Sequence, residues 1–360
     1  MEAICQVSLK AISSNYQFFK ERMGKSKIIP VVKANAYGHG ALEVSKHLHE
    51  LEEVDLFAVA TLQEARELAA SLPAVSTLIF SRVFTSELDQ LPERAILTLV
   101  SMEHAEALGN TGKTIDVHLN VNTGMNRLGV SPEEARLLIK NKYSNLNIVG
   151  VYSHFSSSDT ASHRQFEKQR ALFESFVSDI RTLGFRGLVH MSNSAAMLHD
   201  DFNTYDAMRL GIGLYGYDTS PGGSHQAALR PAMQVIAPLV RVDQVKAGEP
   251  VSYAEKWHAD RDTNIGTLRI GYADGYNRLL TNNGSVSLND EEFPVVGTVT
   301  MDHIMIDLGH KRIEPGTYFT VLGGDKRPVS IADVADRLGT IPYEVCCGIS
   351  RRVQRIHLID

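Results

Sequence analysis

Short apolar runs alternate with amphipathic segments along the first two thirds of the chain. The runs are rich in Val, Ile and Leu and end at polar or glycine-containing turns, which is typical of buried strands. The segments between them repeat apolar residues at helical spacing. The predicted strands are 28–33, 56–60, 76–80, 96–100, 114–119, 148–154, 188–191 and 206–209, and predicted helices include 11–24, 62–71, 102–109, 132–141 and 162–183.

This alternation predicts an α/β fold with a parallel sheet. Eight strand–helix units favour a closed (β/α)8 TIM barrel, and an open doubly wound sheet is the alternative. Active sites of such barrels lie at the carboxyl ends of the strands. Lys33, His154 and Arg209 all occur at such predicted ends.

The pattern changes near residue 230. Residues 217–230 have the composition of a connecting segment, and the rest of the chain is rich in β-branched residues and turns, with one clear helix at 330–339. We therefore predict a barrel domain over residues 1–230 and a mostly β domain over residues 231–360. Residues 1–9 are candidates to add one strand to the second domain.

Composition excludes several classes of partner. The 360 residues carry a net charge of -6 and a pI near 6.2, so no basic surface for nucleic acid or anionic membrane is expected. No apolar run approaches the ~18 residues of a membrane span, and the first residues lack a secretory pattern, so we expect a cytoplasmic protein. The three cysteines include adjacent Cys346 and Cys347, which is not metal-ligand spacing, and we expect buried thiols and no metal site.

The stretch IIPVVKANAYGHG, residues 28–40, is the most informative in the chain. A lysine at the end of an apolar strand costs desolvation energy unless it has a partner. One explanation is a Schiff-base lysine, whose amine burial keeps neutral and nucleophilic. The other is a lysine that reaches solvent, which the spacing alone favours. Hydroxyls and glycines at 192–194 and 211–213 suit a phosphate after strands seven and eight.

The segment VVKANAYGHG resembles the pyridoxal-phosphate lysine motif of alanine racemases. Further segments match motifs of this family in the family order. The resemblance implies a fold type III alanine racemase that interconverts L- and D-alanine through a pyridoxal 5′-phosphate aldimine at Lys33, as a homodimer with composite active sites. The further segments are TGMNRLG (123–129), YSHF (152–155), HMSNSAA (190–196), RLGIGLYG (209–216), VSY (251–253), GYADGY (271–276), MDH (301–303) and YEV (343–345).

The resemblance also implies roles for individual residues. Lys33 and Tyr253 of the partner subunit are the two bases on opposite faces of the substrate Cα. A free tyrosine has a pKa of about 10, so a nearby cation is expected to lower it, and Arg127 resembles the arginine that contacts both this tyrosine and the substrate carboxylate. Arg209 faces the pyridine nitrogen, which stays unprotonated because arginine keeps its own proton. The remaining implied roles are orientation of Arg209 by His154, cofactor binding by Tyr37, Asn193, Ser194, Gly211, Ile212 and Tyr343, substrate binding by Met301 and Asp302, and lining of the access channel by Asp159, Tyr272 and Ile341.

The same residues also have ordinary structural interpretations. A tyrosine such as Tyr37 or Tyr253 is often a packing residue with a solvated hydroxyl. Asp302 can simply cap a turn, and His154 can be a hydrogen-bonded structural histidine.

The chain departs from the family pattern at Asn120, where many members have a carbamylated lysine that holds the arginine. Asparagine is neutral and cannot balance a partly buried Arg127. We therefore predict a chloride ion near Asn120 and Arg127, with a protein carboxylate or ordered water as the alternative. Thr298 also lies near a position where the family often has an arginine.

Three other functions remain open at this point. One is a racemase of broader specificity that acts on serine or other amino acids. A second is a pyridoxal-phosphate-binding carrier protein, which the added β domain with Tyr253 and Met301 disfavours. The third is a decarboxylase of the same fold type, which Arg209 at the ring nitrogen disfavours.

Overall fold

The computed structural model of the chain forms two compact units. One comprises Ile12–Ala36 and Ala41–Leu229, and the other comprises Met1–Ala11, Tyr37–Gly40 and Arg230–Asp360. The residues that the structure describes are 1–140, 143–160, 163–199, 205–324 and 329–359.

The first unit is a closed parallel barrel. Its strands pair in the order β2-β9-β8-β7-β6-β5-β4-β3, and a parallel bridge between Val31 and Ala58 joins the two ends of this sheet. The predicted TIM barrel is confirmed, and the open doubly wound alternative is wrong. The strands, after β1 (Ile4–Ser8) of the other unit, are β2 (Lys27–Pro30), β3 (Leu56–Val59), β4 (Ser76–Ile79), β5 (Ala95–Leu99), β6 (Ile115–Asn120), β7 (Leu146–Tyr152), β8 (Leu188–His190) and β9 (Ala207–Leu210).

A helix or a 3-10 turn follows each barrel strand, and one further helix precedes the first of them. The first helix begins at Leu9, earlier than predicted, because Ser8 Oγ accepts the Ala11 N–H. Thr61 and Glu64 form a capping box at the start of the third helix. The helices are α1 (Leu9–Met23), α2 (Ala41–Glu52), α3 (Leu62–Ser71), α4 (Met102–Gly109), α5 (Pro132–Lys140) and α6 (His163–Thr182), with 3-10 turns at Thr85–Gln90, Ala196–Leu198, Ile212–Tyr215 and Gln226–Ala228.

The second unit is built on a sheet in the order β11-β14-β13-β12-β15-β10-β1-β16, and β11 also pairs with β10. The N-terminal β1 joins this sheet, antiparallel to β10 and parallel to β16. Further 3-10 turns lie at Tyr253–Glu255, Tyr272–Asp274 and Arg278–Leu280. The strands are β10 (Met233–Val245), β11 (Thr263–Leu268), β12 (Ser285–Leu288), β13 (Glu291–Val296), β14 (Ile304–Gly309), β15 (Tyr318–Gly323) and β16 (Gln354–Leu358).

Two α-helices lie in the described part of the second unit, not one. α7 (Ile331–Leu338) is the predicted helix, and Ser330 Oγ accepts the Asp333 N–H at its start. α8 (Pro342–Gly348) was not predicted as a helix. It is too short to show a helical repeat of apolar residues, although Pro342 at its first position is favourable for a helix start.

The cysteine prediction is partly wrong. Cys5 and Cys346 are buried thiols, whereas Cys347 is exposed on α8. Burial raises the pKa of the Cys5 thiol to about 11, although Arg355 lowers it. Cys5 therefore behaves as a small apolar residue in this unit.

Within the described residues, none of the helices has the length and apolar character needed to cross a bilayer.

Candidate active site

Lys33 begins a strained turn just beyond the first barrel strand. β2 ends at Pro30, so the predicted strand 28–33 is too long and the partly buried Lys33 lies outside it. The next four residues, Ala34–Tyr37, all have left-handed backbone conformations with φ between 52 and 54°. Such conformations cost roughly 1–2 kcal/mol each for residues other than glycine. Strain of this kind persists where the surroundings fix it, and it is common at functional sites.

Arg209 lies inside the barrel on β9 and is buried. Its Nη1 donates to His190 Nδ1 at 2.6 Å, and its Nη2 donates to His154 Nδ1 at 3.0 Å. Nη2 has two hydrogens, which it shares between His154 Nδ1 and the carbonyls of Ser153 and Met191, each carbonyl at 2.7 Å. Burial lowers the pKa of Arg209 to about 10, with opposing effects from Tyr152, which raises it, and Arg127, which lowers it.

Three cations act on the imidazole of His154, two residues beyond the end of β7. Burial holds the pKa of His154 well below its usual value, and Arg209, Arg127 and Lys33 lower it further, in that order of size. Lys33 follows β2, Arg127 follows β6 and Arg209 lies near the end of β9, so all three belong to the carboxyl-terminal end of the barrel. A concentration of positive charge at this end suits a ligand that carries anionic groups.

Two further histidines, which the sequence analysis missed, extend this network into the barrel. His190 Nε2 and His118 Nδ1 are 2.9 Å apart, and both rings are fully buried. Burial lowers the pKa of His118 to about 3 and that of His190 well below its usual value, and Arg209 lowers both further. Both histidines lie within predicted apolar strands, so a polar residue inside a strand was the available signal.

Tyr152 supports the same network from the end of β7. Its ring stacks on that of His190 with a centroid distance of 5.0 Å and an angle of 10°. Its hydroxyl lies 3.1 Å from Thr98 Oγ1, and the Arg209 guanidinium lies 5.1 Å from the ring centroid. Ring stacking and cation–π contact thus restrict Arg209 and His190 to one arrangement.

Ser194 lies in the loop after β8 and binds the backbone turn that follows β9, the last barrel strand. Its Oγ accepts the Gly211 N–H at 3.0 Å and the Gly213 N–H at 3.1 Å. These bonds use both lone pairs of the hydroxyl, which leaves its proton for an acceptor. Gly213 cannot carry a side chain, because a Cβ would lie 2.7 Å from the Phe19 ring. Gly211 and Ile212 lie at the N-terminal end of this turn, the 3-10 turn Ile212–Tyr215.

Asn193 holds the neighbouring loop. Its Oδ1 accepts the Ala196 N–H at 3.0 Å and the Ser158 hydroxyl at 2.8 Å. Asp159, the next residue, is exposed in the same turn. The side-chain oxygen of Asn193 therefore links two loops at this end of the barrel.

Asn120 and Arg127 flank the loop after β6. The Asn120 carbonyl accepts the Val130 N–H at 3.0 Å, and Asn122 Oδ1 accepts the backbone N–H groups of Gly124 and Asn126. Arg127 is exposed in the single chain. The expectation of a partly buried Arg127, on which the chloride hypothesis rested, is therefore wrong for the chain alone.

Tyr37 and Tyr343 lie together in the second unit. Their ring centroids are 5.8 Å apart, and Tyr343 is carried by α8. Burial raises the pKa of Tyr37 far above its usual value, and Tyr343 and Cys347 raise it further. Tyr37 therefore keeps its phenolic proton and can act as a hydrogen-bond donor.

Tyr253 is 71% exposed, in a turn that Thr298 holds on both sides. Thr298 Oγ1 donates to the Tyr253 carbonyl at 2.8 Å, and Ser252 Oγ donates to the Thr298 carbonyl at 2.7 Å. Ser252 and Ala254 have positive φ values of 70° and 60°, so the backbone is strained on either side of the tyrosine. Thr298 thus holds the backbone of the turn that carries Tyr253.

The other residues expected near the substrate lie on exposed loops of the same unit. Met301, Tyr272 and Ile341 are large apolar side chains open to solvent. The Met301 carbonyl accepts the Ala273 N–H at 3.0 Å, which places two of these loops side by side. Asp302 forms an ion pair with Arg352 at 2.9 Å. Within the described ranges, no group of three His, Cys, Asp or Glu side chains is placed to hold a metal ion.

Two family matches together cover most of the chain. Residues 7–219 match the family described as alanine racemase, N-terminal domain, and residues 232–357 match alanine racemase, C-terminal domain.

Curated relatives agree over nearly the full length. Alanine racemase 2 of Caldanaerobacter subterraneus subsp. tengcongensis is 35% identical, with 98% of this chain and 94% of the relative covered. The alanine racemase of Lactococcus lactis subsp. lactis is 36% identical, with 98% and 96% covered.

Solved structures share the whole fold. The alanine racemase of Clostridium difficile 630 superposes with a TM-score of 0.92 at 32% identity, over 100% of this chain and 96% of that one. The alanine racemase of Bartonella henselae, solved with covalently bound pyridoxal phosphate, superposes with a TM-score of 0.89 at 30% identity, over 99% and 100%.

Proposed function

Because this chain belongs to the alanine racemase family, we propose that it interconverts L- and D-alanine with pyridoxal 5′-phosphate as its cofactor. The observation that carries the proposal is the hydrogen bond between Arg209 and His154 at the carboxyl end of the barrel, where Lys33 follows β2 and Arg127 follows β6. When bound, the cofactor supplies an electron sink for negative charge at the substrate Cα. We further propose that the protein works in the cytoplasm as a homodimer.

The hydrogen-bond donors in the loops after β8 and β9 fit this cofactor. Ser194 has both lone pairs occupied by the Gly211 and Gly213 N–H groups, so its proton suits a phosphate oxygen. We also assign phosphate binding to Tyr37, Ile212 and Tyr343. Asn193 completes the assigned cofactor site through the loop that it holds.

Arg209 supports the assignment at the pyridine nitrogen. Its described partners are two histidine nitrogens and two carbonyls, all neutral acceptors. A guanidinium only donates hydrogen bonds, so it stabilises a ring nitrogen in its unprotonated form. This makes a strongly stabilised carbanion, as a decarboxylase needs, less favourable, and it supports a racemase.

We assign proton transfer to two bases on opposite faces of the substrate Cα. The Lys33 amine removes or returns the proton on one face, and Tyr253 of the partner subunit does so on the other. The exposure of Tyr253 in the single chain supports this assignment. An exposed side chain is free to enter the active site of a second subunit. Exposed Met301 and Tyr272 on adjacent loops support a subunit interface at the same face.

We assign binding of the substrate carboxylate to Arg127, Met301 and Asp302, and lining of the access channel to Asp159, Tyr272 and Ile341. We retain chloride near Asn120 and Arg127 as a proposal for the assembled dimer, where a second subunit can bury the arginine. Full activity in chloride-free buffer would remove the chloride from the proposal and leave the reaction unchanged.

The decisive experiment combines labelling with a substrate panel. The purified protein is expected to absorb in the near-visible range, and borohydride should fix the cofactor to Lys33 in the peptide 28–40. Racemisation of alanine should exceed that of serine and other amino acids. Cofactor fixed at Lys33 without racemisation of any amino acid would favour a carrier protein, and a preference for serine would favour the broader racemase.

A further inference from the structure

We propose that Glu64 is a positioning residue for Lys33, because its carboxylate holds the strained turn that follows the lysine. Glu64 Oε1 accepts the Ala34 N–H at 2.7 Å, and Ala34 is the residue directly after Lys33. This inference rests on the proposed function of Lys33. It assigns to Glu64 a role in the reaction, although Glu64 does not touch the reacting atoms.

The two oxygens of Glu64 serve different parts of the barrel. Oε2 accepts the Ala60 N–H at 2.7 Å and the Thr61 N–H at 3.0 Å, and these bonds complete the capping box of α3. Helix capping therefore needs only one of the two oxygens. Oε1 instead binds the turn that follows β2. One carboxylate therefore links the loop after β2 to the loop after β3.

The turn held by Oε1 is the strained one. Ala34 is the first of the four consecutive left-handed residues, and the turn closes with a 2.8 Å bond from the Ala36 N–H to the Val32 carbonyl. On its far side, Asn35 Oδ1 accepts the Ala41 N–H at 2.9 Å. A strained backbone of this kind persists when neighbouring groups over-determine it. Glu64 and Asn35 each hold one side of the turn, and His39 Nδ1 lies 3.0 Å from the carbonyl of Tyr37, the last of the four residues.

A glutamine at position 64 separates the two roles. Its side chain offers one accepting oxygen and one donating NH₂ group. If the glutamine oxygen accepts the helix-cap hydrogen bonds, its NH₂ group faces the Ala34 N–H. Both of these groups are donors, so the hydrogen bond to Ala34 is lost. Glu64→Gln is therefore expected to release the Lys33 turn while α3 keeps its N-terminal bonds.

Two variants of the same helix serve as controls. Thr61→Ala removes the hydroxyl that accepts the Glu64 N–H, so it weakens the helix cap but leaves the bond from Ala34 to Glu64. Glu67→Gln alters an exposed acid one turn on, which accepts only the Gln63 amide at 2.8 Å in the described contacts. Thr61→Ala reports the effect of a weaker helix, and Glu67→Gln reports the effect of one lost charge.

The first readout is hydrogen exchange in cofactor-free protein. Glu64→Gln should raise the exchange rate of the Ala34 amide at least ~10-fold relative to both controls, because an amide is protected by its hydrogen bond. The second readout is kinetic. Since displacements near 1 Å can cost about 100-fold, kcat should fall ~10–100-fold while KM changes less.

Three outcomes separate the possibilities. Unchanged Ala34 exchange in Glu64→Gln, or a kcat equal to that of Thr61→Ala, would overturn the positioning role and leave Glu64 as a helix cap. Faster exchange with a selective loss of kcat supports it. Borohydride labelling of the unmodified protein tests the proposed function separately, since a label away from Lys33 would refute that function whatever the Glu64 variants show.

Discussion

Arg209 Nη1 lies 2.6 Å from His190 Nδ1 inside the barrel. Because arginine only donates, His190 Nδ1 must accept, and the proton of the neutral ring must lie on Nε2. That Nε2 is 2.9 Å from His118 Nδ1, so His118 accepts in turn and carries its own proton on Nε2. One arginine thereby sets the tautomers of two histidines, and His154 Nδ1, which accepts from Nη2, makes a third.

The first prediction is that His118, His154 and His190 are all neutral Nε2–H tautomers at pH 7. Long-range ¹⁵N–¹H correlation spectra of histidine-labelled protein would show it, with each signal assigned by its loss in a single His→Gln variant. An Nδ1–H tautomer at His190 would contradict the arrangement, because two protonated nitrogens would then face each other.

The second prediction concerns stability at mildly acidic pH. The folded pKa of His118 is about 3, and those of His154 and His190 are well below the usual 6.5 of the unfolded chain. The unfolded state therefore binds more protons below pH 6.5. The stabilisation is complete above pH 6.5 and is lost as the pH falls towards 3, with a limiting slope of about 1.4 kcal/mol per pH unit for each histidine.

Urea unfolding of the cofactor-free protein between pH 7.5 and 5 tests this slope, since most carboxylates titrate below that window. His118→Gln removes one titrating group, so it should lower the slope by up to about 1.4 kcal/mol per pH unit. A free energy of unfolding that is flat across this range would show that the three histidines are not buried in neutral form.

The third prediction is that Gly150→Ala destabilises the barrel by about 1–3 kcal/mol, the usual cost of overpacking. A Cβ at Gly150 would overlap the His118 ring, with Cδ2 and Cε1 each 2.6 Å away. Combining it with His118→Ala frees the space, so the double variant should lose less stability than the sum of the two single variants. Strict additivity would show that the ring and Gly150 do not touch.

The fourth prediction tests the composite site. Tyr253→Phe and Lys33→Ala should each lose most racemisation, and Tyr253→Phe should keep bound cofactor because Lys33 is intact. Mixed subunits should recover part of the activity, because one of the two sites in a mixed dimer then holds both bases. Proven subunit exchange without any recovery would place both bases in the same chain.

The sequence by itself determined the eight-stranded barrel, since apolar runs of strand length alternating with helical repeats have few other compact solutions. It also predicted that Lys33, His154 and Arg209 lie at one end of the barrel, because each was assigned to the carboxyl end of a predicted strand. Its errors lie at the ends of elements: the first barrel strand was predicted to end at residue 33 and ends at Pro30. The conformation of one or two residues decides such an end, and the apolar pattern does not record it.

Only the tertiary structure decided what surrounds Arg209 and Lys33. His118 and His190 are 72 residues apart in sequence, and their contact exists because β6, β7 and β8 are neighbours in the sheet. Glu64 meets Ala34 across 30 residues for a similar reason, since β2 and β3 are joined through the Val31–Ala58 bridge. The local pattern of apolar residues shows where a strand lies. Contacts between side chains on different strands depend on how the barrel closes, which no short segment of sequence encodes.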